Sequence, residues 1–239
     1  VRLDKFLFEK GYVQSRSRAK EYIQNGFVKV DGRVIKSSSF KVGEESMIEI
    51  LKKDEYVSRA AEKLKSFLKG GEYEFIKGSI CLDVGASTGG FTQVLLQKGA
   101  LRVYALDVGS SQLYETLKKD KRVVNLEKTD IRDFFPLKRF EVVTCDVSFI
   151  SLHKILSELD RVSKGDLIIL FKPQYEVGKD VKRDKKGVVL DNEAIQNAKE
   201  RFEKECEKLG WRLVRKEVSV VKGKEGNEEF FYHFKKDIG

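Results

Sequence analysis

The stretch CLDVGASTGGFT, residues 81–92, constrains the fold of this chain more than any other. The apolar run Ile80–Val84 has the composition of a buried strand, and the glycines from Gly85 to Gly90 predict a turn that opens a helix at Phe91. Such a turn lets a ligand approach the backbone, and the helix N-terminus points free N–H groups at it. A second apolar run, Arg102–Leu106, ends in Asp107, about twenty residues on, where a carboxylate suits a bidentate hold on ribose hydroxyls. Together these features predict an open α/β sheet that binds an adenosine-containing cofactor at its carboxyl edge.

The rest of the chain alternates in keeping with that sheet. Strands are expected at Ile80–Val84, Arg102–Leu106, Val123–Glu127, Val142–Val147, Leu167–Lys172, Arg212–Val220 and Phe230–Phe234, seven in all. Helices are expected at Phe91–Lys98, Ser111–Asp120, Leu152–Leu159 and Glu193–Leu209. This alternation predicts a Rossmann-like α/β fold, a mostly parallel sheet with helices on both faces. Ser58 is placed to cap a further helix that runs through Lys63 to Leu68.

The first fifty residues read differently, as a small α+β unit. Leu3, Phe6, Leu7 and Phe8 form an apolar cluster on a short helix, and Ser15 caps a second helix, Arg16–Asn25, with Ala19, Tyr22 and Ile23 on one face. FVKV-DG-RVI then predicts a hairpin turning at Asp31-Gly32, and Ser46–Leu51 another strand. Residues 1–53 hold 12 Lys and Arg against 7 Asp and Glu, so more than half of the chain's net charge of +9 lies in under a quarter of its length. A local excess of this kind points to a polyanionic partner. The expected division is a small basic domain at 1–53, a charged linker at 54–57 and an α/β cofactor-binding domain at 58–239.

Three features narrow the cofactor. The dinucleotide fingerprint G-x-G-x-x-G needs glycine where Ser87 stands, and no Gly-Lys-Ser/Thr phosphate loop is present. The pattern D-x-G-x-x-x-G-G instead resembles the S-adenosylmethionine motif of class I methyltransferases, which makes Asp83, Gly85, Ala86, Ser87, Thr88, Gly89 and Asp107 the expected cofactor contacts. Asp130, after the third strand, is placed either to meet the adenine or to cap Arg132–Phe135.

Methyl transfer to a ribose hydroxyl needs a base, and a lysine serves if burial or a neighbouring cation lowers its pKa. Lys172, in LIILFKPQYE, follows five apolar residues to the ligand-binding end of a strand, and Asp146 has the same place in EVVTCDVSFI. From there Asp146 can orient the lysine or the substrate hydroxyl, with capping of Ser148–Ile150 as the competing role. Lys63 on its helix reads as solvated when taken alone, and Glu228 and Glu229 in GNEEFF are equivalent on spacing.

The chain resembles the TlyA family, also called hemolysin A-like proteins, across nearly its whole length. The stretches RLDKFL, SRSRAKEYI, VKVDGRV, YVSRAAEKL, CLDVGASTGGFT, VYALDVGSSQL, CDVSFISL, LFKPQYEVGK and GNEEFF carry the likeness, in order. The resemblance implies an S-adenosylmethionine-dependent rRNA 2′-O-methyltransferase, with 58–239 as an FtsJ-like catalytic domain and 1–53 as an alpha-L type RNA-binding domain in front. It assigns a Lys-Asp-Lys-Glu tetrad to Lys63, Asp146, Lys172 and Glu229. Two positions depart from the family pattern: Ala60-Ala61 where two glycines are common, and Asp130 where asparagine is frequent. Beginning almost at RLDKFL, the chain is like the family's shorter form, which modifies the large subunit, so a cytidine of 50S ribosomal RNA is the expected target.

Arg2, Lys5, Arg16, Arg18, Lys20 and Lys29 are the expected phosphate contacts of the first unit, and Arg59 with the basic run Lys179–Lys186 extends the track. That run reads equally as a solvated loop. Cys81, Cys145 and Cys206 lack metal-ligand spacing and fit buried apolar positions, so no metal is expected. VRLDKFLFEK has no signal-peptide core, and no apolar stretch approaches the ~18 residues of a membrane span. A cytoplasmic protein is expected. The rival readings are a ribosome-assembly factor without activity, a base methyltransferase and a membrane-active hemolysin; the last lacks an amphipathic or spanning segment.

Overall fold

The computed structural model describes residues 1–13, 15–51 and 58–236, and its chain divides into two compact units, Val1–Glu55 and Tyr56–Gly239. The charged linker expected at 54–57 lies outside the described residues.

In the first unit, α1 (Leu3–Glu9) is followed by α2 (Arg16–Gln24), whose N-cap Ser15 accepts from Arg18 N at 3.1 Å, as its sequence predicts. Strands β1 (Val28–Val30) and β2 (Arg33–Val34) form the expected hairpin, with Asp31 and Gly32 both at positive φ, 50° and 77°. That geometry matches the right-handed twist of the flanking strands. β3 (Ile48–Ile50) pairs antiparallel with the other edge of β1. Leu3, Phe6, Leu7, Ala19, Tyr22, Ile23, Val28 and Val30 close the core. Phe8 does not join the cluster predicted for it: the helical period turns it outward, 45% exposed.

The second unit opens with α3 (Arg59–Lys69), which buries Ala61, Leu64, Phe67 and Leu68 along one stripe. Ser58 occupies its N-cap position but makes no side-chain cap bond, contrary to its expected role. The chain then runs through β4 (Ile80–Val84), α4 (Gly90–Gln97), β5 (Arg102–Leu106), α5 (Glu115–Lys118), β6 (Val123–Leu126), β7 (Phe140–Cys145), α6 (Leu156–Val162), β8 (Ser163–Phe171), α7 (Asn192–Lys208), β9 (Trp211–Val218) and β10 (Phe230–Lys236). Among the described residues the sheet order is β6-β5-β4-β7-β8-β10-β9, parallel except that β10 runs antiparallel to both its neighbours. The order reverses beside β4: the chain winds outward to β6, then returns to place β7 on the other side. A ligand crevice opens at such a switch point, beyond the carboxyl ends of the strands.

Strand alternation feeds two cores. Cys81, Val103, Val142, Ile168 and Leu170 pack on α3 and α4, while Leu82, Val84, Val143, Cys145 and Ile169 pack on α6 and α7. All three cysteines are free and buried, and burial pushes the Cys81 thiol up to about 12, as for an inert small hydrophobe.

Two helices differ from expectation. The pattern at Ser111–Asp120 yields only α5, because Ser111 turns at φ 56° and Tyr114 is extended, so the first residues fold as a loop around Asp107. Leu152–Leu159 splits at Ile155 (φ −132°) into a 3₁₀ turn, Leu152–Lys154, and α6. Among the described residues no helix is long and apolar enough to cross a membrane.

Candidate active site

The glycine-rich turn brings β4 close to the end of β7. Gly85 has φ 78°, and a Cβ there would lie 2.2 Å from the Asp146 carbonyl oxygen, so a side chain would force the two strand ends apart. Ser87 also turns left-handed, at φ 50°, and its N–H donates to Asp107 Oδ2 at 2.8 Å. Gly109 N donates to Asp107 Oδ1 at 2.7 Å. The Asp107 carboxylate is thus held by two backbone amides, with lone pairs left over for hydroxyl donors.

Asp107, Asp130, Ile131, Val147 and Phe149 line a cavity of about 380 Å³ beside this turn. Asp130 does both things its position allows. It borders the cavity, and it also accepts from Arg132 N at 2.9 Å and pairs with the Arg132 guanidinium, which lowers its pKa. A second cavity of about 350 Å³ adjoins, bordered by Ser58, Arg59, Ala60, Ala86, Thr88 and Lys172. Gly85, Ser87, Asp146 and Ser148 border both, so the two form one cleft along the carboxyl edge of the sheet.

Two residues expected at the cofactor lie elsewhere. Asp83 is fully buried beneath the turn, where it accepts from Thr92 Oγ1 at 2.8 Å and Thr144 Oγ1 at 3.0 Å. Burial raises its pKa to about 7 against the pull of those hydroxyls. It ties β4 to α4 and β7, which fixes the turn from below. Gly89 (φ 100°) faces the hydrophobic core: a Cβ there would meet Leu117 Cδ1 at 2.2 Å.

Four charged residues gather near the other end of the cleft as two ion pairs, of which Lys172 and Asp146 border the cavity and Lys63 and Glu229 do not. Lys172, following β8, lies 2.5 Å from Asp146 Oδ1, off the hydrogen-bonding direction of that oxygen, and donates to Ser148 Oγ at 3.0 Å. Lys63, one turn along α3 from Arg59, donates to Glu229 Oε2 at 2.7 Å, and both partners are buried. Spacing left Glu228 and Glu229 equivalent; the structure exposes Glu228 and turns Glu229 inward. Burial alone would lower the Lys172 pKa, but Asp146 and then Glu229 more than offset it, so the ammonium is held above its ordinary value. The depressed lysine expected of a base is therefore not what these protein groups produce by themselves.

Several supports of the site carry no sequence signal of their own. Gln174 Nε2 donates to Glu229 Oε1 at 3.3 Å, and Ser58 Oγ is buried at the cleft with no partner among the described residues. Glu176 accepts from Ser151 Oγ and Leu152 N, both at 2.7 Å, which clasps the segment after β7 to the segment after β8 and so sets Asp146 against Lys172. The only signal for Gln174 and Glu176 was their place in KPQYE.

In the first unit, Asp4 is buried under Arg2 (Nε to Oδ1, 2.9 Å) and Arg16 (Nη2 to Oδ2, 3.0 Å), with their outer faces half exposed. Lys5 pairs with Glu9, Arg18 with Glu21 and Lys29 with Glu49, each at 3.5 Å, and Lys20 is exposed. In the second unit Arg59 Nη2 donates to Lys222 O at 2.8 Å. Among the described residues no group of His, Cys, Asp and Glu is arranged to hold a metal.

A sheet of this order, with a polar cleft at its switch point and a buried lysine at the cleft's end, has the architecture of a Rossmann-like methyltransferase. The family model for FtsJ-like methyltransferases matches residues 56–236, and that for the S4 domain residues 1–48. The chain is 44% identical to the 23S rRNA (cytidine-2′-O)-methyltransferase TlyA of Campylobacter jejuni, over 99% of this chain and 100% of that one. It is 38% identical to the 16S/23S rRNA (cytidine-2′-O)-methyltransferase TlyA of Mycobacterium tuberculosis, over 97% and 88% of the two chains. Its fold matches a Streptococcus thermophilus structure that carries the hemolysin name, with a TM-score of 0.74 and 31% identity, over 99% of this chain and 88% of that one. The chain belongs to the TlyA family, an S4 domain joined to an FtsJ-like methyltransferase domain.

Proposed function

We propose that this enzyme methylates the 2′-hydroxyl of a cytidine in large-subunit ribosomal RNA in the cytoplasm, with S-adenosylmethionine as donor, residues 1–53 holding the RNA and 58–239 carrying out the transfer. The observation that carries the reading is Lys172, a buried lysine that ends the cleft and is flanked by Asp146 and the Lys63–Glu229 pair.

The cleft's residues fit the donor. Asp107 has lone pairs free for ribose hydroxyls, Asp130 and Ile131 border the space for an adenine, and Gly85 and Ser87 bring bare backbone alongside. The unpartnered Ser58 hydroxyl and the first turn of α3 suit the amino-acid end. When bound, S-adenosylmethionine supplies an electrophilic methyl group on a positively charged sulfur. A cation bound in the cleft beside Lys172 would offset the Asp146 and Glu229 carboxylates and lower the lysine's pKa, the condition in which Nζ could accept the ribose proton. Asp146 and Ser148 hold that nitrogen in place, and the Lys63–Glu229 pair keeps a second ammonium neutralised nearby. Positioning then supplies much of the acceleration.

The test is tritiated-methyl transfer to purified 50S and 30S subunits, with nuclease digestion to separate ribose from base label. Label on a 50S ribose that falls by about 10²-fold or more in Lys172→Ala, with cofactor affinity retained, is the expected outcome. Undiminished label in the variant would remove Lys172 as the base. Label on 30S alone would reassign the substrate, and no label on either subunit would overturn the reading.

A further inference from the structure

The basic run at residues 179–186 is a folded part of the molecule. After Gly178 the chain forms a small hairpin, in which Leu190 N donates to Lys182 O at 3.0 Å and Arg183 bridges Val189. Its tip is closed by Asp184, whose Oδ1 accepts from Lys186 N at 2.7 Å and from Val188 N at 2.9 Å. One of the hairpin's acids is thereby spent on backbone amides and not on its lysines.

The buried side chain of Asn227 joins this hairpin to the turn that leads into Glu229. Asn227, 3% exposed, accepts from Val189 N at 2.9 Å and donates to Gly187 O at 3.3 Å. Its own carbonyl accepts from Gly223 N at 2.8 Å, which closes the turn carrying Lys222 and Lys224. Two residues on, Glu229 grips Lys63, while Arg59 on the same helix as Lys63 holds the Lys222 carbonyl. Hairpin, turn and the Lys63–Glu229 pair are therefore cross-linked through Asn227.

The outer face of this body is cationic. Lys179, Lys182, Lys185, Lys186, Lys222 and Lys224 are all exposed, and none has an ion-pair partner among the described residues. Asp180, Asp184, Glu225 and Glu228 share the surface, four acids against these six lysines, which leaves it net positive. Exposed lysines that hold no carboxylate at ion-pair distance among the described residues suit the phosphates of a nucleic acid, since binding there releases counterions without breaking a protein ion pair.

We propose that the hairpin 178–190, with Lys222 and Lys224, is a phosphate-binding arm of the catalytic unit that grips RNA beside the acceptor ribose, and that Asn227 is a positioning residue linking that grip to the Lys63–Glu229 pair. The inference rests on the ribosomal-RNA reading above and adds where on the catalytic unit the backbone is held.

The experiment is methyl transfer to 50S subunits by the full chain at several salt concentrations, with the dissociation constant for S-adenosylmethionine measured on every variant as a check of folding. The combined Lys182→Gln, Lys185→Gln, Lys186→Gln variant is expected to raise KM for the subunit about tenfold or more and to flatten the dependence of log(1/KM) on log salt by about 3. Asn227→Ala is expected to raise KM and lower kcat together, and Asn227→Asp, which keeps the acceptor for Val189 N, to recover part of both. An active wild type whose KM and salt slope survive the triple substitution would overturn the arm and leave the ribosomal-RNA reading standing. Asn227→Ala that changes kcat with KM untouched would overturn the linkage. A wild type that labels no subunit would remove the functional reading and this inference with it.

Discussion

Burial acts on Asp83 and Lys172 with opposite outcomes because their partners differ. Asp83 meets no cation, only the hydroxyls of Thr92 and Thr144 and the Thr92 amide, so desolvation, with the Asp146 carboxylate adding to it, wins and its pKa rises from 3.8 to about 7. Lys172 meets the carboxylates of Asp146 and Glu229, so its charge is kept. The Asp83 shift is also a statement about stability. A carboxyl whose folded pKa exceeds its unfolded one stabilises the fold fully below the unfolded value and loses that contribution as pH rises through the folded value. Stability from this group is therefore present below about pH 4 and lost as pH rises through about 7. Asp83→Asn abolishes the titration, so the stability of wild type relative to the variant should fall between pH 4 and pH 8, by at most about 4 kcal/mol. Urea unfolding of both proteins across that range checks it, and a constant difference would mean that Asp83 does not titrate there.

At the scale of elements, the packing of α3 on α4 places Lys63 against Glu229. A Cβ on Gly90 would lie 2.2 Å from Ser58 Oγ and 2.7 Å from Ala61 N, a clash with backbone that no side-chain rotation relieves. Ala60 and Ala61 stand at this contact, and Ala61 is fully buried in it. Gly90→Ala should therefore push the start of α3 away from the cleft, destabilise the fold by about 1–3 kcal/mol, and weaken binding of S-adenosylmethionine. Calorimetric titration and thermal unfolding of the variant measure both, and wild-type values for the two would show that α3 has room to move. The Glu176 clasp does for the segments after β7 and β8 what this contact does for α3. Neither was legible in the sequence, since a glycine in a helix pattern and a glutamate in a loop gain meaning only from what stands opposite them.

Across the whole molecule, positive charge is put to two uses. In the first unit Arg2 and Arg16 are tied to buried Asp4, whose carboxyl the Arg2 guanidinium holds at about 2, so these arginines are oriented by the core beneath them. On the hairpin of the second unit the lysines are exposed and have no ion-pair partner among the described residues. If residues 1–53 hold RNA while the cleft carries out transfer, a change at Asp4 should reach binding and leave the chemistry alone. Asp4→Asn is expected to raise KM for the 50S subunit about tenfold, the worth of one charged hydrogen bond, with kcat retained. A fall in kcat at constant KM, read from the same transfer assay, would contradict this division of labour.

The sequence by itself determined the sheet, its glycine-rich turn, the hairpin at Asp31-Gly32 and the small basic unit in front, because strand alternation, turn chemistry and helix caps are local properties carried by neighbouring residues. It also marked Lys172 and Asp146, since an apolar run delivers whatever follows it to the carboxyl edge of the sheet. Only the tertiary structure decided that Asp83 lies under the cleft instead of in it, that Glu229 and not Glu228 meets Lys63, and that Lys172 keeps its charge. Each of these depends on groups distant in sequence, Thr144 against Asp83 and Lys63 against Glu229, and the energy of a charge depends on what solvates it, which no local pattern of residues specifies.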